Sequence, residues 1–130
     1  MKQIIFLPVE SILKIHVVLV NKYGGLHGVR DAKLLDSAIN LPIMVHQYHE
    51  DKNDDIYYLA ATYMYAITKN HPFVDGNKRT GLESALSFMR INDLTYKFKI
   101  EELYSLSLDT ASSSIDTYGI AHFFEKNNQK

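Results

Sequence analysis

The sequence has no cysteine and no tryptophan, and its 130 residues include only three prolines and six glycines. The absence of cysteine excludes disulfide bonds and cysteine-ligated zinc, and it fits a reducing cytoplasm, where we expect the protein to act. Neither charge is in large excess: the formal net charge is −1, so the composition favours neither direct nucleic-acid binding nor binding to an anionic membrane. Charged residues also interrupt the apolar run near the N-terminus, so we predict no membrane span and no signal peptide there.

Hydrophobic residues make up 46% of the chain, which is enough for one core, and we expect a single domain spanning 1–130. Apolar residues recur at helical spacing, which predicts an all-α, compact helical bundle. The fourth helix is expected to be the most buried, and the chain from Pro42 to Asp55 is expected to be less regular. The alternation of Tyr96, Phe98 and Ile100 with two lysines indicates one short extended segment near 95–100, too isolated to form a sheet. Predicted helices cover about 8–23, from Asp31 to about 41, from Asp54 or Asp55 to about 70, from 77 to about 91, about 101–110 and about 114–125.

The polar chemistry is concentrated in His-Pro-Phe-Val-Asp-Gly-Asn-Lys-Arg-Thr, a stretch that begins at His71 between the third and fourth helices. Its proline stops the third helix, Gly76 allows a tight turn, and Asn77 is predicted to be the N-cap of the fourth helix. Lys78 and Arg79 then occupy the first helical turn, where the helix dipole disfavours each cation by roughly 0.3–1 kcal/mol. This arrangement indicates that an anion binds there, and the free backbone N–H groups suit a phosphate.

Three further residues of the stretch complete the predicted site. His71 is the candidate catalytic base, because imidazole exchanges protons near neutral pH. Asp75 offers a hard oxygen ligand of the kind Mg²⁺ prefers, and Phe73 is the candidate anchor that holds the loop in the core. We therefore predict phosphate chemistry, with nucleotide or phosphate contacts from Gly76, Asn77, Lys78 and Arg79.

The same stretch resembles the core motif of the Fic/Doc family, His-x-Phe-x-Asp/Glu-Gly/Ala-Asn-Gly/Lys-Arg, at every position. At the Gly/Lys position of the motif this chain has Lys78, and in this it resembles the Doc (death-on-curing) branch of the family. A second run, Gly-Gly-Leu-His-Gly-Val-Arg-Asp at 24–31, also resembles Doc proteins, as do Leu-Asp-Ser-Ala at 35–38 and Pro42. The resemblance implies a bundle of the Fic/Doc type with a buried motif helix.

The resemblance to the Doc branch implies a toxin of a type II toxin–antitoxin system. Such a toxin is a protein kinase that uses ATP and Mg²⁺ to phosphorylate a threonine of a translation factor, elongation factor Tu, and so arrests translation. Most Fic proteins instead transfer AMP; their motif has glycine where this chain has Lys78 and a second arginine where it has Leu82. An AMP transferase and a non-catalytic nucleotide-binding interaction module remain the alternatives.

Three smaller expectations follow. The segment 42–55 is expected to act as the flap that holds the target polypeptide, through Tyr48 and His49. Glu83 lies four residues after Arg79 and is a candidate to pair with it on the helix surface.

The chain has no Ser/Thr-x-x-x-Glu-Gly/Asn sequence of the kind that marks the inhibitory helix of many Fic proteins. Inhibition is therefore expected from a separate antitoxin, whose tail would fold into an apolar groove that involves the N-terminal helix.

Overall fold

The computed structural model describes residues 3–52 and 54–128, and this part of the chain is all-α. Within it no strand forms, and two isolated antiparallel bridges join Val29 to Phe73 and Tyr96 to Asn128. The predicted all-α fold is confirmed, and the extended segment near 95–100 amounts to one bridge. None of the described helices is long and apolar enough to cross a bilayer. The helices, in chain order, are α1 (Val9–Tyr23), α2 (Ala32–Tyr48), α3 (Ile56–Asn70), α4 (Asn77–Ile91), α5 (Ile100–Ala111) and α6 (Thr117–Lys126).

Helix α3 lies at the centre of the bundle and packs against α2, α4, α5 and α6. Ten of its residues are buried, against eight in α4, so the expectation that the fourth helix is the most buried was wrong. The physical reason is the distribution of charge. Helix α3 has one charged residue, Lys69 near its C-terminal end, as expected of a helix surrounded by neighbours, whereas α4 exposes Lys78, Arg79 and Arg90.

Three helices begin at an aspartate whose carboxylate accepts a backbone N–H from the third residue on. Asp31 caps α2, Asp55 caps α3 and Asp116 caps α6, with N–O distances of 3.0, 3.1 and 2.9 Å. Such caps satisfy N–H groups that have no partner within the helix. The motif helix α4 is different: its N-cap is Gly76, in the left-handed region, and no side chain caps it. The prediction of Asn77 as N-cap was wrong by one residue, and the first turn of α4 lacks a side-chain cap.

Helix α2 continues through Pro42 to Tyr48, so the prediction of less regular chain from Pro42 to Asp55 was wrong for its first seven residues. A proline inside a helix costs roughly 3 kcal/mol, because it removes one hydrogen bond and crowds the preceding turn. Here the proline ring is buried with Leu35, Ala38 and Ile39 on the side of α2 that faces the core. This packing offsets the local cost.

Candidate active site

The motif loop begins where α3 ends, at His71. This residue adopts the left-handed conformation, with φ 53° and ψ 53°, which costs a non-glycine residue roughly 1–3 kcal/mol. Arg30 holds it there: its Nε donates to the carbonyl of His71 at 2.8 Å, and its Nη2 donates to the carbonyl of Asn70 at 3.2 Å. A guanidinium is well placed at a helix C-terminus, where carbonyls lack partners. The backbone of the candidate base is therefore fixed while its side chain stays exposed.

The connector between α1 and α2 lies directly beside the motif loop. The N–H groups of Arg30 and Asp31 both donate to the carbonyl of Pro72, at 2.7 and 3.1 Å, and the N–H of Val74 donates to the carbonyl of Gly28 at 3.0 Å. The Val29–Phe73 bridge is part of the same contact. The second run that resembles Doc proteins thus supports the motif through backbone hydrogen bonds, which is a role that the sequence alone did not reveal.

The segment 42–55 lies at the opposite end of the bundle, so its assignment as the flap was wrong. Helices α2 and α3 run antiparallel: the side chain of Asn70 donates to the carbonyl of Leu34 at 3.0 Å at one end, and the rings of His49 and Tyr58 are 5.5 Å apart at the other. A 15-residue helix spans about 22 Å. Nearness to the motif in sequence therefore did not mean nearness in space; Asn53 of this segment lies outside the described residues.

Phe73 and Asn77 tie the loop to the core and to the start of α4. The Phe73 side chain is fully buried, and Asn77 is 4% exposed. The Asn77 side-chain oxygen accepts the Phe73 N–H at 2.9 Å, and its amide nitrogen donates to the Phe73 carbonyl at 3.0 Å. Because the Asn77 side chain is buried and bonded within the loop, only its backbone N–H is placed to meet a ligand. We therefore expect Asn77 to contact a phosphate through its backbone N–H and not through its side chain.

The carboxylate of Asp75 is held by two backbone donors. Oδ1 accepts the N–H of Gly76 at 2.9 Å, and Oδ2 accepts the N–H of Leu26 at 3.2 Å. The space beside it is filled by backbone: a Cβ added at Gly25 would lie 2.8 Å from Oδ2. Each oxygen has a further lone pair, so the side chain can still coordinate a hard cation.

His16 on α1 also contacts the loop, which the sequence analysis did not foresee. His16 falls on the apolar side of α1 and is buried, at 3% exposure. Its ring stacks on Phe73 with centroids 3.9 Å apart, and its Nε2 lies 2.7 Å from the carbonyl oxygen of Asp75. The separation of 59 residues in sequence gave no signal of this contact.

A cleft of about 850 Å³ opens at the start of α4 and brings the predicted polar residues together. Helix α5 forms its opposite wall, which sequence reasoning missed because nothing in the motif points to α5. Tyr23 of α1 also lines it, and the guanidinium carbon of Arg79 lies 4.8 Å from the Tyr23 ring centroid, a cation–π contact. The motif residues lining the cleft are His71, Asp75, Gly76, Asn77, Lys78 and Arg79; those of α5 include Ile100, Leu103, Tyr104, Ser107 and Leu108.

Glu83 does not pair with Arg79, so that expectation was wrong. Its carboxylate accepts from Nη2 of Arg90 at 2.9 Å, two turns further along α4. Arg90 also donates to the hydroxyl of Tyr96, and burial raises the pKa of that hydroxyl, which favours its neutral form. Arg79 stacks on Tyr23 instead. The guanidinium of Arg79 is therefore not neutralised by Glu83 and remains available to an anion in the cleft.

The described part of the chain contains no group of three or more His, Asp or Glu residues placed to hold a metal ion. Asp75 is thus the one motif carboxylate at the cleft, and a metal bound to it would need other ligands. Mg²⁺ commonly binds in this way: one or two carboxylates hold it, and substrate phosphates and water complete its octahedral coordination. The residues present fit such an ion, provided that a nucleotide brings the phosphates.

The fold and the site together define an all-α protein in which a helix N-terminus, two cations, an imidazole and a carboxylate face one cleft. A model of the Fic/DOC family matches residues 6–89, and the chain belongs to this family. The resemblance inferred from the motif is thereby confirmed.

Two curated relatives are similar over most of their length. "Protein kinase doc" of Escherichia phage P1 is 33% identical over 112 residues, which cover 86% of each chain. "Toxin Doc" of Mycolicibacterium smegmatis is 34% identical over 101 residues, which cover 76% of this chain and 77% of the relative. Family membership and these names imply a transferase that takes a nucleotide as a substrate.

Proposed function

We propose that this protein is the toxin of a type II toxin–antitoxin system and a protein kinase that acts in the cytoplasm. It transfers the γ-phosphate of ATP to a threonine of a translation factor, for which elongation factor Tu is our candidate, and so arrests translation. One observation carries the proposal: the imidazole, the carboxylate and the uncapped, cationic start of α4 all face the same cleft. The names of the two relatives support the kinase and toxin parts.

His71 is the general base in this proposal. Its imidazole removes the proton of the attacking threonine hydroxyl as the new bond from oxygen to the γ-phosphorus forms. The bond from the γ-phosphorus to the bridging oxygen breaks, and ADP leaves. The strained backbone of His71, held by Arg30, supports this role, because it fixes where the ring enters the cleft while the ring itself remains exposed.

The first turn of α4 binds the phosphates. The backbone N–H groups that follow Gly76, at Asn77, Lys78 and Arg79, meet the phosphate oxygens, and the two cationic side chains neutralise charge that moves during transfer. The contact between Arg79 and Tyr23 supports this, because it limits the positions that the guanidinium can take before the nucleotide arrives. The unfavourable placement of two cations at a positive helix end is offset when the anion binds.

Asp75 would hold Mg²⁺ when nucleotide is bound, and the ion would supply charge neutralisation on the phosphates. The chain's own contribution is the placement of the carboxylate. The N–H groups of Leu26 and Gly76 hold one oxygen each, which leaves the outer lone pairs for the ion.

Two residues favour γ-phosphate transfer over AMP transfer. Lys78 occupies the position of the glycine that lets phosphates approach the backbone closely in AMP transferases. Leu82 stands in place of a second arginine, which removes a ligand for the terminal phosphate in that binding mode. Both residues line the cleft, so both bear on how the nucleotide lies in it.

The test is to supply ATP labelled at either the α- or the γ-phosphorus, with elongation factor Tu or cell extract as the acceptor. We expect label from the γ position alone on the acceptor. His71→Ala should reduce transfer by roughly 10²–10⁴-fold, the range for loss of a general base, and should still bind ATP. Label from the α position alone would establish AMP transfer instead. Absence of transfer in every extract, with ATP binding intact, would favour the non-catalytic module.

We further propose that the antitoxin binds a second cleft, of about 530 Å³, between α1 and α4. Its lining includes Ile15, Val18 and Leu19 of α1, and Val18 is 51% exposed. An amphipathic antitoxin helix would bury these side chains. Leu19, Tyr23 and Glu83 line both clefts, so a helix seated in the second one would reach the edge of the nucleotide site.

A further inference from the structure

His16 is a buried polar residue in an otherwise apolar setting, and nothing in the motif assigns it a role. It lies on α1 between the buried residues Ile12 and Val20, and its side chain is almost wholly enclosed. A buried imidazole needs a hydrogen-bond partner, and the one found for His16 is the carbonyl of Asp75, at 2.7 Å from Nε2. The partner is therefore the backbone of the residue that carries the motif carboxylate.

The direction of this hydrogen bond follows from its acceptor. A carbonyl oxygen has no proton to give, so Nε2 must carry the hydrogen and donate it to Asp75. The edge of the imidazole makes this hydrogen bond, and its face stacks on the ring of Phe73, with the two ring planes 8° from parallel. One ring thus holds the loop at two points, before and at the turn that leads into α4.

The position of the Asp75 peptide determines where its carboxylate can reach. The peptide leads directly into Gly76, whose φ of 77° turns the chain into α4, and a Cβ at Gly76 would lie 3.6 Å from Nε2 of His16. The imidazole therefore packs against the turn itself. If the carbonyl of Asp75 rotated away, the N–H of Gly76 in the same peptide would turn with it and leave Oδ1, and the carboxylate would be held less firmly, by the N–H of Leu26 alone.

We propose that His16 is a positioning residue for Asp75. Its Nε2–H fixes the peptide between Asp75 and Gly76, and through it the direction in which the carboxylate meets a divalent cation on the nucleotide. The metal-binding part of this inference rests on the proposed function, in which Asp75 is the Mg²⁺ ligand. The hydrogen-bonding part does not, so the two can be tested separately.

Two substitutions test the two contacts of His16, the hydrogen bond and the ring stack, separately. His16→Phe keeps an aromatic ring on Phe73 and removes the donor, whereas His16→Gln removes the ring and keeps an N–H near the position of Nε2. Ile12→Val is the matched control, because Ile12 is fully buried on the same side of α1 one turn away and loses one methyl group. Should His16→Phe fail to fold, His16→Leu, which also lacks a donor, takes its place.

The first measurement is ATP affinity by calorimetry, with Mg²⁺ and with EDTA. We expect His16→Phe to lower the affinity in Mg²⁺ by at least about 10-fold, the lower end for loss of a bond that orients a metal ligand, and to leave the affinity in EDTA unchanged. His16→Gln should recover most of the loss, and Ile12→Val should show none. Equal affinity of His16→Phe and the parent protein in Mg²⁺ would overturn the proposal.

The second measurement does not depend on nucleotide. Amide hydrogen exchange of Leu26 and Gly76, the two donors to Asp75, should be faster in His16→Phe and close to the parent rate in His16→Gln. The amide of Met64 in α3 reports global opening and corrects for any loss of stability. If the parent protein binds no ATP, the proposed function fails, and this exchange still decides the role of His16: unchanged exchange at Gly76 would overturn it.

Discussion

Asp75 is held in one orientation by neighbours that come from a different part of the chain. Its carboxylate accepts from the N–H of Leu26, and the backbone of Gly25 lies against it, so close that a Cβ there would be 2.8 Å from Oδ2. The pair Gly24-Gly25 therefore does more than end α1. Both glycines have positive φ, but only the second one touches the site.

This difference makes a matched pair of substitutions. Gly24→Ala and Gly25→Ala should each lower the free energy of unfolding by roughly 1–3 kcal/mol, because alanine is strained at positive φ. Only Gly25→Ala should also displace Asp75, and we expect it to weaken Mg²⁺-dependent ATP binding by about 10-fold or more. Urea unfolding and calorimetry measure the two effects. The same affinity in both variants would show that the Gly25 contact does not position the carboxylate.

At the scale of single residues, the polar residues that meet at the cleft could be named from the sequence, but the contacts that hold them in place could not. His71, Asp75, Lys78 and Arg79 were identified from their side chains, because an imidazole, a carboxylate and two misplaced cations in one loop are informative without a structure. Contacts that join distant segments were not accessible in this way. The bond from His16 to Asp75 spans 59 residues, and no local pattern encodes it.

At the scale of helices, α1 presents two neighbouring valines in different surroundings. Val18 is 51% exposed and lines the cleft between α1 and α4, and Val17 is 44% exposed and does not line it. If the antitoxin helix binds there, a charge at Val18 would be desolvated in the interface, with only Lys14 and Lys22 one turn away to offset the cost, and a charge at Val17 would stay in water.

We therefore expect Val18→Glu to weaken the complex with the antitoxin encoded beside this gene by at least about 10-fold, which corresponds to about 1.4 kcal/mol. Val17→Glu should bind as the parent protein does. Affinities from surface plasmon resonance compare them, and label transfer from ATP should be the same in both, since neither residue lines the nucleotide cleft. A complex unaffected by Val18→Glu would place the antitoxin elsewhere.

The helices themselves were predictable where their signals are local. The caps at Asp31 and Asp55 follow from a short polar side chain just ahead of an apolar repeat. Pro42 was misleading for the converse reason: its local preference to end a helix is overridden by packing of the ring in the core, which only the tertiary structure reveals. The same holds for Asn77, whose side chain is bonded to Phe73 rather than capping α4.

At the scale of the whole molecule, the all-α fold was predictable from periodicity, but the arrangement of the helices was not. Helix α3 is central because α2, α4, α5 and α6 all pack against it. The cleft forms because α5 lies opposite the start of α4. Both facts depend on how helices pack after they form. The antiparallel pairing of α2 and α3 also places the segment 42–55 away from the motif. That the residues 1–130 form a single domain stays a prediction.

The proposed function of this protein depends on where a nucleotide lies in the molecule. A crystal structure with a non-hydrolysable ATP analogue and Mg²⁺ tests this most directly. We predict phosphate oxygens within hydrogen-bond distance of the backbone N–H groups at the start of α4, with Lys78 and Arg79 on the phosphates and the ion on Asp75. A nucleotide bound elsewhere, or a cleft left empty at saturating concentration with Lys78 in solvent and Arg79 still on Tyr23, would contradict the account.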